Sequence, residues 1–406
     1  MTKKSICVVG LGYIGLPTAA LLAAKGYMVA GVDINSHVVK TINEGRIHIV
    51  EPDLDAYVRS AVASGNLKAF AEPQSSDVYM ICVPTPFHET DDIPQPNIDY
   101  ILSATAKIAP LLKAGDTVIL ESTSPVGTTH EMARVLELAG VDVTSINIAY
   151  CPERVLPGKV MVELVENDRI VGGYTPEATT SVSDFYRTFV DGHVLETDAK
   201  TAEMCKLTEN SFRDVNIAFA NELSLLCDKE GINVWDLIRL ANHHPRVSIL
   251  TPGVGVGGHC IAVDPWFIVA RNPEDAVVIK AARGVNSHKT EWVVDRIVAA
   301  AGDAERQLGR RPRIACMGLA FKPDIDDLRE SPALSISEKL QEMGHDIVAV
   351  EPNITEHPNL KLVSLDDASE SCDVFAFMVR HKNFVNPSVG RRLSGKVVLD
   401  FCGINV

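Results

Sequence analysis

The chain has 406 residues, 46% hydrophobic and 22% charged, an ordinary globular composition with enough apolar mass for two or three cored domains. Lys plus Arg total 38 against 53 Asp plus Glu, a net charge of −15, which argues against nucleic acid or an anionic membrane surface as partner because both are polyanionic. Nine cysteines, an odd number with no C-x-x-C, point away from a disulfide framework or a zinc site and toward reduced thiols, most of them small buried hydrophobes.

Lys3 and Lys4 precede an uncharged run from Ser5 to Ala24, the outline of a signal peptide. Gly10, Gly12, Gly15 and Pro17 interrupt that run, so it reads instead as a strand over 5–9, a glycine turn, and a helix through Leu21 and Leu22 to Gly26. A second strand over 28–32 ends at Asp33. Apolar runs at 78–83, 117–120 and 146–149 alternate with helical segments such as 100–112, a pattern that implies a parallel sheet covered on both faces.

Strand signals stop after Thr197. Residues 201–240 read as helix, with Phe212, Val215, Phe219, Leu223 and Leu226 forming one apolar stripe, and helix continues to about Arg306. A second α/β unit opens near Arg313, with strands at 314–317, 346–350, 373–379 and 396–399 and a helix over 332–343. The predicted fold is α/β: two Rossmann-like doubly wound parallel-sheet domains, residues 1–197 and 306–406, joined by a helical central region, 198–305, with one long helix.

Two places carry chemistry. Gly10-x-Gly12-x-x-Gly15 follows a strand and opens a helix. Gly10 permits the tight turn, Gly12 lets a pyrophosphate approach the backbone, and Gly15 lets helix and strand pack closely. Asp33 at the end of the second strand suits ribose hydroxyls, and Ile34-Asn35-Ser36 offers no arginine for a 2′-phosphate, so NAD is expected rather than NADP. The other place is Gly253-Val-Gly255-Val-Gly257-Gly258-His259-Cys260-Ile-Ala-Val-Asp264-Pro265, where backbone can approach a ligand and Cys260 is a candidate nucleophile. Lys206, Asn210 and Arg213 share one face of the long helix, opposite the apolar stripe; periodicity alone reads them as a solvated polar face.

The segments VGLGYIGLP (9–17), GVDIN (31–35), VPTP (83–86), ESTSPVGTT (121–129), YCPERVLPG (150–158), EMCKLTENSFRDVNIAFANEL (203–223), GVGVGGHCIAVDP (253–265) and GLAFKPDIDDLRESPAL (318–334), taken in order, resemble the UDP-glucose/GDP-mannose dehydrogenase family over nearly the whole length. The resemblance implies NAD-dependent oxidation of a UDP-sugar at C6 in two steps, through a thiohemiacetal and a thioester on Cys260. It implies that Lys206 and Asn210 stabilise the reacting oxygen, and that Asp264, Glu153 and Thr123 handle water. Cofactor contacts would come from Gly10, Gly12, Tyr13, Ile14, Gly15, Asp33, Pro84, Thr85, Thr123 and Arg329. Substrate contacts would come from Arg154, Val155, Lys206, Asn210, Arg213, Arg246, His259 and Lys322. A cytoplasmic homodimer is expected.

Departures from the UDP-glucose pattern bear on the sugar. Ile261-Ala262-Val263-Asp264 stands where those members carry Phe-Pro-Lys-Asp, and Pro157 stands where they carry an acid. The resemblance therefore implies a UDP-N-acetylhexosamine, with UDP-N-acetyl-D-mannosamine expected, oxidised for surface polysaccharide synthesis. Its C2 epimer UDP-N-acetylglucosamine, a single-step dehydrogenase of the hydroxyacid type that needs no Cys260, and a nucleotide sensor with a dead site are the alternatives.

Overall fold

The computed structural model describes residues 4–88, 93–156, 158–258 and 260–404. The chain divides into two compact units, Met1–Glu209 with Trp266–Arg271 and Asn210–Pro265 with Asn272–Val406. The division falls inside the long helix Ala199–Glu230.

The first unit is built on β1 (Ser5–Val9), β2 (Met28–Val32), β3 (Leu67–Phe70), β4 (Val78–Ile81), a two-stranded ribbon of β5 (Phe87–His88) and β6 (Gln95–Pro96), then β7 (Thr117–Leu120), β8 (Asn147–Tyr150), β9 (Arg169–Gly173) and β10 (Val194–Asp198). Eight of these make one sheet in the order β10-β9-β8-β7-β4-β1-β2-β3. The central strands β4 and β7 are buried along their whole length, which is why they are uncharged. The order reverses at β1, so connections leave it to opposite faces and open a crevice at the strand carboxyl ends.

The sheet differs from a purely parallel one at a single junction, where β8 pairs antiparallel with β9. Strands β3, β9 and β10 have no clear sequence signal, because LKAF, RIVGG and VLETD carry charges or glycines. In β9 the glycines are needed for packing: a Cβ on Gly172 would sit 2.4 Å from the Asp198 carbonyl oxygen.

The second unit carries a four-stranded, wholly parallel sheet in the order β12-β11-β13-β14, formed by β11 (Arg313–Met317), β12 (Asp346–Val350), β13 (Val374–Phe377) and β14 (Val397–Asp400). The helix Pro332–Glu342 starts on Ser331, whose hydroxyl accepts from Leu334 N and donates to the Leu319 carbonyl. The helix Val277–Leu308 lies against the second-unit part of the long helix. Arg283 bridges Asp214 at 2.8 Å, Asn286 donates to Asp214 at 2.8 Å, and Asn221 donates to Asn286 at 2.9 Å.

That interlock turns the long helix over relative to its sequence reading. Asn210, Asp214 and Asn221 are buried, while Phe212, Phe219 and Leu226 are 67%, 52% and 50% exposed. Polar groups sit inside because each finds a buried partner. The apolar stripe is the face left to solvent.

Candidate active site

In the first unit the glycine turn has the geometry that a dinucleotide needs. Gly10 sits at φ +93°, and a Cβ there would meet the Cys82 carbonyl oxygen at 2.6 Å. A Cβ on Gly15 would lie 1.8 Å from the Gly10 carbonyl oxygen. At Gly12 a Cβ would have no atom within 4 Å, so that position is glycine for the sake of something outside the protein. The helix Gly15–Ala24 begins behind Ile14, which offers no side-chain cap, so the positive end of the helix faces the turn with no side-chain oxygen on it.

Asp33 receives Leu11 N at 3.1 Å and Asn35 N at 2.9 Å and stays half-buried at the end of β2. Its remaining lone pairs suit two ribose hydroxyls. The loops after β4 and β7 are tied together where Thr85 donates to the Thr123 carbonyl at 2.7 Å and Ser122 donates to the Val83 carbonyl at 2.6 Å. Pro84, Thr85 and Thr123 therefore border the crevice that Gly10, Gly12, Tyr13, Ile14 and Gly15 open.

Behind β8 lies a buried polar cluster. Glu153 takes Arg169 Nη1 on Oε2 at 2.6 Å and Arg154 N on Oε1 at 2.6 Å. Arg169 is only 1% exposed, donates through Nη2 to the Leu164 carbonyl at 2.9 Å, and stacks 5.6 Å from the Tyr186 ring centre. Tyr186 donates to Glu121 at 2.7 Å, and the Cys82 thiol lies 3.2 Å from the other Glu121 oxygen. Burial pushes the Glu121 carboxyl up, the Glu153 charge adds to this, and Arg169 opposes it. The Arg154 side chain pairs with Glu209 at 2.9 Å, and Val155 packs on the core below. Sequence patterns pointed to Glu153 but not to Arg169, because a single arginine at the head of RIVGG looks like a charged strand end.

Lys206 is buried on the long helix, one turn before Asn210. On the same helix the buried Glu203 accepts from Gly127 N, Thr129 N and the Thr129 hydroxyl, which docks the helix on the loop that carries Thr123.

In the second unit Asn210 Nδ2 donates to Asp264 Oδ2 at 2.5 Å, with both side chains buried. Asp264 N donates to the Cys260 carbonyl at 2.9 Å, so one turn separates the acid from the sulfur. Cys260 is the exposed member of the nine cysteines; the other eight are buried or half-buried. Burial pushes the thiols of Cys7 and Cys316 up to about 11 and that of Cys151 to about 12, which leaves them inert at neutral pH.

The glycine loop before Cys260 is seated on the loop 319–331. Gly258 N donates to the Arg329 carbonyl at 3.1 Å, and a Cβ on Gly257 would lie 2.5 Å from the Glu330 carbonyl oxygen. Lys322 and Arg329 on that loop are exposed, with Arg329 held by Asp327 at 2.6 Å. Arg213 and Arg246 are also exposed. His259 and Pro157 lie outside the described residues.

Comparison with known proteins places this geometry. Models of the UDP-glucose/GDP-mannose dehydrogenase family match in three parts: the NAD binding domain over residues 4–190, the central domain over 200–288 and the UDP binding domain over 315–405. The chain belongs to the UDP-glucose/GDP-mannose dehydrogenase family. It is an NAD-dependent dehydrogenase, and the open cradle at Gly12 and the carboxylate of Asp33 fit that cofactor.

Among family members, the chain is 56% identical to a UDP-N-acetyl-D-mannosamine dehydrogenase from Yersinia pestis over 95% of each sequence. It is 52% identical to an NDP-N-acetyl-D-galactosaminuronic acid dehydrogenase from Ralstonia nicotianae, over 99% of this chain and 96% of that one. The structure of a UDP-D-ManNAc dehydrogenase from Pyrococcus horikoshii superposes with a TM-score of 0.89 at 39% identity, covering 99% of this chain and 96% of the other.

Proposed function

We propose that this dehydrogenase oxidises UDP-N-acetyl-D-mannosamine at C6 to UDP-N-acetyl-D-mannosaminuronate, in two hydride removals and one hydrolysis. The observation that carries the mechanism is the pairing of Asn210 with Asp264 one turn behind an exposed cysteine at the end of a glycine loop. The sugar assignment draws its support from the 56% identical relative.

Bound NAD supplies the hydride acceptor, used twice per sugar. The protein does the rest. Lys206 places a cation where the C6 oxygen develops negative charge as the alcohol becomes an aldehyde. Asn210 has two amide hydrogens; one is committed to Asp264, and the other serves the same oxygen. The Cys260 sulfur adds to the aldehyde carbon, its proton moving to the carbonyl oxygen, which forms a thiohemiacetal. Loss of the second hydride and of the hydroxyl proton leaves a thioester. Water then attacks the carbonyl, the carbon–sulfur bond breaks, and the thiol is regenerated as the carboxylate forms. Asp264, Glu153 and Thr123 orient that water and take its proton. Lys322, Arg154, Arg213 and Arg246 supply positive charge for the nucleotide sugar and Arg329 for the cofactor, Val155 and His259 line the sugar, and the division into domains 1–197, 198–305 and 306–406 separates cofactor, helical and nucleotide roles.

The exposed Phe212, Phe219 and Leu226 stripe supports a homodimer, since a face this apolar is covered more readily by a second copy than by water. Among the described residues no helix is long and apolar enough to cross a membrane, and nine cysteines without a disulfide suit a cytoplasmic enzyme that supplies a uronic acid for surface polysaccharide.

Counting product decides the reading. Purified enzyme with limiting UDP-N-acetyl-D-mannosamine is expected to form two NADH per sugar; one NADH per sugar means a single-step dehydrogenase. Cys260→Ser is expected to lose the four-electron turnover. The relative from Ralstonia nicotianae makes the N-acetylgalactosamine isomer a substrate to assay alongside, together with UDP-N-acetylglucosamine, and a higher kcat/KM on either overturns the sugar assignment.

A further inference from the structure

We infer that Arg169 is a positioning residue: it holds the Glu153 carboxylate in one orientation, ready to take a proton from the hydrolytic water. This rests on the reading of Glu153 as a water-handling residue. Glu153 is itself buried beside a second buried carboxylate, Glu121. A buried carboxyl needs fixed donors to settle in one orientation. Among the described residues, Arg169 is the cation whose side chain reaches Glu153, at 2.6 Å.

The geometry is that of an aimed group. Arg169 is anchored from below by the Leu164 carbonyl and by the Tyr186 ring, and Tyr186 is pinned in turn by Glu121. Glu153 thereby has one bond on each oxygen, from Arg169 and from Arg154 N. A carboxylate oxygen accepts twice, so each keeps a lone pair for a water. In the hydrolysis the water oxygen bonds to the thioester carbon, its proton passes to Glu153, and the carbon–sulfur electron pair leaves with Cys260.

Stability alone does not account for the arrangement. A buried ion pair is at best neutral against apolar packing of the same volume. Here Arg169 Nε is also buried without a hydrogen-bond partner among the described residues, a cost that a purely structural pair has no reason to carry. The Cys82 thiol at Glu121 belongs to the backbone that Gly10 packs against, so the same cluster also steadies the floor of the cofactor turn.

The test compares Glu153→Gln, Arg169→Lys, Arg169→Met and the Glu153→Gln/Arg169→Met double variant, by NADH production and by melting temperature. Glu153→Gln is expected to lower kcat by about a hundredfold. Arg169→Lys, which keeps the charge but not the fork, is expected to lower kcat about tenfold and Arg169→Met about a hundredfold, with KM for the sugar within about twofold in both. In the Glu153→Gln background, Arg169→Met should cost no further activity. If Arg169→Met does not fold, the double variant, which removes both charges, and Arg169→Lys still decide. A KM that rises in step with the fall in kcat, or effects that multiply in the double variant while Glu153→Gln alone is slow, overturns the role of Arg169 and leaves that of Glu153 standing. A Glu153→Gln enzyme of normal rate overturns the reading of Glu153 itself.

Discussion

The two sheets open with the same turn and put it to opposite uses. Gly10 at φ +93° donates to Val32 O at 2.8 Å; Gly318 at φ +94° donates to Val350 O at 2.9 Å. In each, the next N–H binds an acid at the end of the neighbouring strand, Leu11 to Asp33 at 3.1 Å and Leu319 to Glu351 at 2.7 Å. There the likeness stops. Asp33 is half-buried and has two backbone partners, whereas Glu351 is buried and filled by Leu319 N, Ala320 N, Asn353 and His381. Asp324 N donates to His381 Nδ1, which assigns the ring proton to Nε2 and makes His381 the donor to Glu351. An acid at this position can bind a ribose only if its lone pairs are unspent. The first turn keeps them for a ligand; the second has spent them on its own loop.

The comparison is broken most directly at the glycines. Gly15→Val drives a side chain into the Gly10 carbonyl, and is expected to cost more than ~4 kcal/mol and soluble yield, checked by expression and thermal melting. Gly12→Val meets no protein atom; its apo melting temperature should hold within a degree or two, while NAD affinity falls by about a hundredfold or more in a fluorescence titration, a loss of ~2.7 kcal/mol. A shared fall in both quantities would mean that Gly12 is structural.

Exchanging the acids sharpens the contrast. Glu351→Gln should destabilise the protein by ~2–3 kcal/mol and leave NAD affinity unchanged, whereas Asp33→Asn should weaken NAD about tenfold and leave the melting temperature alone. Burial pushes the Glu351 carboxyl up, but hydrogen bonds from His381 and Leu319 outweigh it and hold it below its ordinary 4.5. A depressed folded value means that the contribution is complete above pH 4.5 and is lost as pH falls through the folded value. The melting temperature of Glu351→Gln should therefore converge on that of wild type as pH falls below 4.5.

The smallest effect comes from the exception in the second unit. Lys289 is buried against the Ser224 hydroxyl at 2.8 Å and the Trp292 ring at 3.9 Å, and burial lowers its pKa to about 7 against the opposing charge of Asp228. A base depressed on folding costs stability in full below pH 7, and the cost fades as pH rises toward the unfolded value of 10.5. Lys289→Met is expected to raise the melting temperature by a few degrees near pH 7, an advantage that shrinks by pH 10 in differential scanning calorimetry.

Much of this organisation is legible in the residues. The first turn announces itself because three glycines at fixed spacing follow an uncharged strand, and the loop 253–260 because so many glycines end on a cysteine. The second turn is silent: Gly318-Leu319-Ala320 lacks the later glycines, and the partner His381 lies 30 residues beyond Glu351. The short strands β3, β9 and β10 were hidden by charges that edge positions tolerate and by glycines that serve packing. The long helix was read with its polar face outward because periodicity reports that two faces differ, not which one meets protein. Only the Asp214–Arg283–Asn286 interlock, made by residues about 70 positions apart, settles the direction. Arg169 was missed for the same reason: its meaning lies in Glu153, on another strand's connection.

The uneven exposure of the nine sulfurs has a consequence for how the enzyme meets oxidants. Peroxide or an electrophilic metabolite finds one accessible thiol ahead of eight shielded ones, and that thiol is Cys260. Sulfenic acid formed there is reversible by a reductant, and overoxidation is not. With the nucleophilic role proposed for Cys260, mild peroxide should therefore lower dehydrogenase activity before it lowers the melting temperature.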